Sequence, residues 1–106
     1  MQIAMTQDNA NQQPALACDC HFHVFDANES ASGARYVPAY TATLDDWASA
    51  GRPCGVTRGV IVQPSFLGTD NSRMLAAIAQ QPHALRGVAV VAPNVLPSPR
   101  TITGEV

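Results

Sequence analysis

The stretch CDCHFHVFD, residues 18–26, places two histidines one residue apart in an apolar run, with an aspartate on either side. Side chains two positions apart in a β-strand point to the same face, so His21 and His23 would present their imidazoles together. Such a pair can bind one divalent metal or hold one substrate oxygen. A lone histidine is more often a core residue that satisfies backbone groups. The Asp-x-His-x-His pattern at the start of an α/β series favours a catalytic pair instead, because active sites lie at the carboxyl ends of such strands.

The same alternation predicts which neighbours share each face of this strand, expected over residues 15–25. Asp19 would lie on the histidine side, where it could hydrogen-bond the backbone or orient an imidazole. The other, helix-facing side would carry thiols and apolar groups, namely Cys18, Cys20, Phe22 and Val24. A small non-enzymatic metal-binding module built from the two cysteines and two histidines is therefore the weaker alternative, since its ligands would converge only in a loop conformation.

The elements that must position the histidines follow along the chain. Residues 26–40 are rich in Gly, Ser, Asn and Pro, which predicts a long surface loop. Thr43 and Asp46 form a capping-box pattern ahead of a short helix over residues 44–50, which Gly51 can end.

Two β-branched runs, residues 58–63 and 86–93, predict parallel strands, the first of them buried on both faces. Between them a helix capped by Thr69 or Asp70 would end before Pro82. Its expected buried stripe comprises Met74, Leu75, Ile78 and Ala79. Strand, helix and strand together predict an α/β fold with parallel strands.

Composition and charge exclude several functional classes. The chain has 106 residues, enough for one domain, and a formal net charge of -2 without a basic cluster, so nucleic acid is not an expected partner. No apolar run approaches the roughly 20 residues of a membrane span. Residues 1–14 are expected to be a mobile polar leader without signal-peptide character, and residues 94–106 an irregular proline-rich tail. Three cysteines without a secretory signal favour reduced thiols and a cytoplasmic location.

Several segments, in order along the chain, resemble the amidohydrolase superfamily: CDCHFHVFD, RYVPAY, VIVQPSFLGTDNSRMLAAI and RGVAVVAP. The resemblance is strongest to the branch that contains the 2-pyrone-4,6-dicarboxylate hydrolases. It implies that residues 15–93 are the N-terminal portion of a distorted TIM (β/α)8 barrel, with about three parallel strands and intervening helices. A complete barrel of this type has roughly 250 residues.

The resemblance also implies a chemistry, which is hydrolysis of a lactone such as 2-pyrone-4,6-dicarboxylate in aromatic-compound degradation. His21 and His23 match the pair after the first strand, which in most of the superfamily binds a divalent metal such as zinc. In the pyrone branch the pair instead polarises the lactone carbonyl without a tightly bound metal cofactor. Tyr36 and Ser65 match residues that contact the substrate in that branch. The alternatives within the superfamily are a metal-dependent decarboxylase or another lactonase.

The expected partner is a small-molecule carboxylate or lactone. The aspartate that activates water in the pyrone branch has no counterpart in these 106 residues, and the edges of a partial sheet would be unpaired. We therefore expect the isolated chain to be inactive and prone to self-association.

Overall fold

The computed structural model describes residues 17–94, which form a three-stranded sheet with two α-helices. The elements in order are strand β1 (Ala17–Phe22), helix α1 (Leu44–Gly51), strand β2 (Val56–Val62), helix α2 (Ser72–Gln80) and strand β3 (Leu85–Val88). Short 3-10 helices span Arg52–Cys54 and Ser65–Leu67. The expectations for residues 1–14 and for nearly all of the tail over residues 94–106 fall outside the described range.

The strand order is β1-β2-β3, and both pairings are parallel. This topology confirms the predicted α/β fold. The outer strands are shorter than predicted, since β1 ends at Phe22 and β3 at Val88. Within residues 17–94 no helix is long and apolar enough to cross a membrane.

Helix α1 begins at the predicted capping box. The Thr43 hydroxyl accepts from the Asp46 backbone N–H at 3.0 Å, and the Asp46 carboxylate accepts from the Thr43 N–H at 2.9 Å. These two bonds satisfy N–H groups that would otherwise lack partners at the helix start. The α-helix ends at Gly51 as expected, and the chain continues as a 3-10 turn that reverses at Gly55, which has a left-handed φ of 78°.

Helix α2 lies between β2 and β3 as predicted, but its start and its buried face differ from the prediction. The N-cap residue is Asn71, whose side chain makes no capping bond, so neither Thr69 nor Asp70 holds the expected cap position. Asp70 still supports the helix start, since its Oδ1 accepts from the Ser72 N–H at 3.1 Å. The buried face consists of Met74, Ala77 and Ile78, with Leu75 partly buried and Ala79 exposed.

Both helices pack on one face of the sheet. Phe22, Ile61 and Leu85 from the three strands join Met74 and Ile78 in the core. The opposite face is open in the described part of the chain, where Val60 and Val62 of β2 are only half-buried and Val88 of β3 is 52% exposed. The expectation that β2 is buried on both faces therefore does not hold for these residues.

Candidate active site at the carboxyl edge of the sheet

The two histidines contact each other at the end of β1. His21 is the penultimate residue of the strand and His23 follows its last residue. Their ring centroids are 5.1 Å apart and the rings meet edge to face at 84°. Both side chains are exposed. Two imidazoles are thus available side by side to one small molecule.

His23 is held across the carboxyl edge by the neighbouring strand. Its Nδ1 lies 2.7 Å from the carbonyl oxygen of Val62, the last residue of β2. A carbonyl oxygen can only accept, so Nδ1 must carry the proton and donate it. The neutral ring therefore presents Nε2 as a lone pair, and Nε2 can donate a hydrogen bond only when the imidazole is protonated.

Strand β1 carries an extra residue in the interval between Asp19 and Phe22, which contains His21. Asp19 pairs with Gly59 and Phe22 with Ile61, so three steps along β1 match two along β2. Such a bulge breaks the alternation of side chains. Asp19 and Phe22 consequently both reach Trp47 of α1, through a 3.0 Å bond from the indole Nε1–H to Asp19 Oδ2 and a ring stack on Phe22 at 4.4 Å.

This bulge corrects the predicted faces of β1. Asp19 lies on the helix side of the strand and not beside the imidazoles. Its Oδ1 nevertheless accepts from the His21 backbone N–H at 3.1 Å, which is the backbone hydrogen bond named above as one of its two possible roles. Phe22 and Val24 are buried as predicted, but Cys18 and Cys20 are exposed and do not pack against the helices.

Ser65 and Tyr36 lie in connections that follow the carboxyl ends of β2 and β1. Ser65 is exposed and opens the 3-10 turn three residues after β2 ends. Tyr36 is 59% exposed in the long loop, and its ring contacts Phe66 edge to face at 6.1 Å. The loop is also tied to this turn by a 2.6 Å bond from the Ala31 N–H to the Phe66 carbonyl. The chain thus joins the two predicted substrate-contacting segments through Phe66, while the roles of Tyr36 and Ser65 stay predictions.

A metal needs more ligands than the histidine pair supplies. Catalytic zinc sites take three protein ligands. Across residues 17–94 no group of three or more His, Cys, Asp or Glu side chains is arranged to hold a metal ion. The described residues therefore do not assemble the Cys/His module or a complete catalytic metal site.

Sequence reasoning missed a cationic link between the long loop and α2. Arg73 donates to both carboxylate oxygens of Glu29 at 2.8 Å and pairs with Asp26 at 2.9 Å. The hydrogen bond from Arg73 is the main cause that lowers the pKa of Glu29. The link borders a cavity of about 400 Å³ between the loop and the start of α2, which neither histidine lines. No local pattern could reveal it, because the partners are 44 residues apart in sequence.

Gln63 is a second feature without a sequence signal. It is 4% exposed, and its Nε2 donates to the carbonyls of Gly68 at 3.0 Å and Asp70 at 2.8 Å. These bonds fix the turn that begins with Ser65 to the end of β2. The position of Ser65 therefore depends on the buried side-chain amide of Gln63, which directly follows β2.

The chain belongs to the amidohydrolase family, whose profile matches residues 18–102. Among solved structures it is similar to a probable 2-pyrone-4,6-dicarboxylic acid hydrolase from Acinetobacter baumannii, with 46% identity and a TM-score of 0.70 over 74% of this chain and 30% of that one. A Pseudomonas putida protein assigned provisionally to the same activity shows 45% identity and a TM-score of 0.66 over 74% of this chain and 29% of that one.

An Agrobacterium tumefaciens protein in its apo form shares the fold, with 20% identity and a TM-score of 0.68 over 85% of this chain and 35% of that one. The chain thus spans about 30% of the length of the two more similar structures. Its three parallel strands and helices correspond to part of the amidohydrolase barrel, which confirms the predicted fold class.

Proposed function

We propose that this chain supplies the first part of the active site of a lactone hydrolase, acting on 2-pyrone-4,6-dicarboxylate or a close analogue during aromatic-compound degradation in the cytoplasm. The observation that carries the proposal is the exposed pair of His21 and His23 at the carboxyl edge, with His23 fixed by Val62. The similarity at 45–46% identity to proteins described as such hydrolases supports the substrate class. The Acinetobacter structure also holds citric acid, another molecule with several carboxylates.

In the proposed reaction water adds to the lactone carbonyl carbon and the ring C–O bond breaks. One proton of the water passes to the departing ring oxygen, which becomes an enol, and the other is released as the new carboxylic acid ionises to a carboxylate. Negative charge develops on the carbonyl oxygen in the transition state, and hydrogen-bond donors placed there stabilise it. Since Nδ1 of His23 is committed to Val62, His23 can donate from Nε2 only as an imidazolium. Hydroxyl groups of Tyr36 and Ser65 would donate to the substrate carboxylates.

A metal-dependent lactonase or decarboxylase of the same superfamily is the second candidate, and one observation favours it. Neutral His23 offers a lone pair at Nε2, the form in which imidazole binds a divalent ion such as zinc. The remaining ligands would have to come from outside residues 17–94. In the metal-free reaction activity should survive a chelator, whereas the metal-dependent activity should be lost on chelation.

The test places residues 17–94 in an intact barrel, in exchange for the matching segment of the Acinetobacter protein. His21→Ala and His23→Ala should each lower kcat on 2-pyrone-4,6-dicarboxylate by about 100-fold or more, because the lost groups act on the transition state. Thermal stability should change little. His83→Ala is the matched control, since His83 is exposed in a turn before β3 and should leave both quantities unchanged. Parallel losses of stability and turnover would instead assign the histidines a structural role.

The isolated 106-residue chain should show no lactone hydrolysis above background. In the described part of the chain β1 and β3 are the outer strands of the sheet, and an open edge favours pairing with another copy. Sedimentation velocity should therefore show association. A monomeric preparation with multiple turnovers would contradict both expectations.

A further inference from the structure

The carboxylate of Asp19 connects the histidine strand to helix α1. Oδ1 accepts from the His21 backbone N–H at 3.1 Å, and Oδ2 accepts from the Trp47 indole at 3.0 Å. One carboxylate oxygen thus has a donor in β1 and the other has a donor in α1. The orientation of the carboxylate is therefore fixed from two sides.

The bulge in β1 makes this connection necessary. An extra residue interrupts the ladder and lacks a regular partner on the adjacent strand. The backbone N–H of His21 lies in this interval and finds its acceptor in Asp19 instead. The local backbone that carries the first imidazole is accordingly held by a side chain and not by the sheet alone.

Trp47 is held in turn by close packing. Its ring stacks on Phe22 at 4.4 Å with an interplanar angle of 6°. Gly59 makes room for the stack, because a Cβ at this position would lie 2.6 Å from Phe22 Cε1 and 2.7 Å from Trp47 Cζ2. The indole N–H that reaches Asp19 therefore comes from a ring fixed in the core.

The imidazole pair is consequently anchored at two points. Val62 holds the ring of His23 at Nδ1, and Asp19 holds the backbone of His21. We propose that Asp19 and Trp47 are positioning residues, which set the backbone at His21 and thereby the contact between the two imidazoles. This role rests on the proposed function, since it gives the pair the arrangement needed at a single substrate oxygen.

The test uses nuclear magnetic resonance, without substrate, on the intact barrel that carries residues 17–94 in exchange for the matching segment of the Acinetobacter protein. Trp47→Phe keeps an aromatic ring against Phe22 but removes the indole N–H together with part of the ring system, while Asp19→Asn keeps the shape of the side chain and removes its charge. In both variants the His21 amide should exchange with solvent about tenfold faster, because a hydrogen bond to a charged group is weakened. The nuclear Overhauser effect between the His21 and His23 rings should also become weaker.

Thr43→Ala is the matched control on the same helix. It removes the capping hydroxyl and lowers stability, but it leaves the Trp47 link to Asp19 in place. Its His21 exchange rate and ring contact should equal those of the wild type. Folded Trp47→Phe and Asp19→Asn proteins with unchanged His21 exchange and an intact ring contact would overturn the proposal. Because no turnover is measured, that result would leave the lactonase proposal standing.

Discussion

Gly59 lies where β2 passes beneath the stacked rings of Phe22 and Trp47. A Cβ added there would lie 2.6 Å and 2.7 Å from carbons of these two rings, whereas carbon atoms make their best contact at about 3.5–4.0 Å. The rings would have to shift by roughly 1 Å in the core. Overpacking of this kind costs about 1–3 kcal/mol. Gly59 does not have a left-handed φ, so alanine can adopt its backbone conformation. Alanine also lowers the conformational entropy of the unfolded chain, which stabilises the folded state by about 0.4–1 kcal/mol. Gly59→Ala should therefore lower the free energy of unfolding by about 1–2 kcal/mol.

Gly87→Ala provides a control on the neighbouring strand. Its Cβ would lie 2.8 Å from Met74 Sδ and 2.9 Å from Ile78 Cδ1. These atoms are far along flexible side chains that can rotate away, so the loss should stay below about 1 kcal/mol. Urea unfolding followed by the fluorescence of Trp47, the only tryptophan, and by circular dichroism measures both variants at constant m. The reasoning is refuted if Gly59→Ala is as stable as the wild type, or if Gly87→Ala costs more.

Three further changes have defined outcomes. Thr43→Ala should lower stability by about 1 kcal/mol in thermal unfolding, because it breaks the capping box; an unchanged midpoint would contradict this. Arg73→Met should have a lower free energy of unfolding than the wild type near neutral pH, and this difference should shrink below about pH 4. The reason is that Arg73 lowers the folded-state pKa of Glu29, and the stabilisation is lost as the carboxylate is protonated. Denaturant titrations at about pH 7 and about pH 3 check it, and an equal gap at both values would be inconsistent with the ion pair. Cys20→Ala should change stability by less than about 0.5 kcal/mol, since the thiol is exposed, whereas a core-sized loss would restore the predicted helix-facing position.

Local patterns were sufficient for the helices and the parallel order of the strands. The capping box of Thr43 and Asp46 depends on residues three apart, and the structure contains both of its bonds. The stripe that includes Met74 and Ile78 follows from helical periodicity alone and is buried as expected. The two runs rich in β-branched residues were sufficient to place β2 and β3 on either side of α2.

The candidate site was predictable in part. The sequence indicated the histidine pair and the edge of the sheet where it would lie, because both depend on spacing along one strand. It predicted the wrong side for Asp19, since a bulge arises from pairing with β2 and leaves no mark in the residues of β1 themselves. The exposed positions of Cys18 and Cys20 could not be foreseen for the same reason.

The sequence by itself thus determined that this chain folds as helices and parallel strands with two histidines near the end of the first strand. Only the tertiary structure decided how those histidines are held. The Val62 carbonyl that sets the tautomer of His23 is 39 residues away, and the Trp47 indole that fixes Asp19 is 28 residues from it. Contacts of this kind exist only once the strands have paired and α1 has packed on the sheet, so they depend on distances in space that no spacing along the chain encodes.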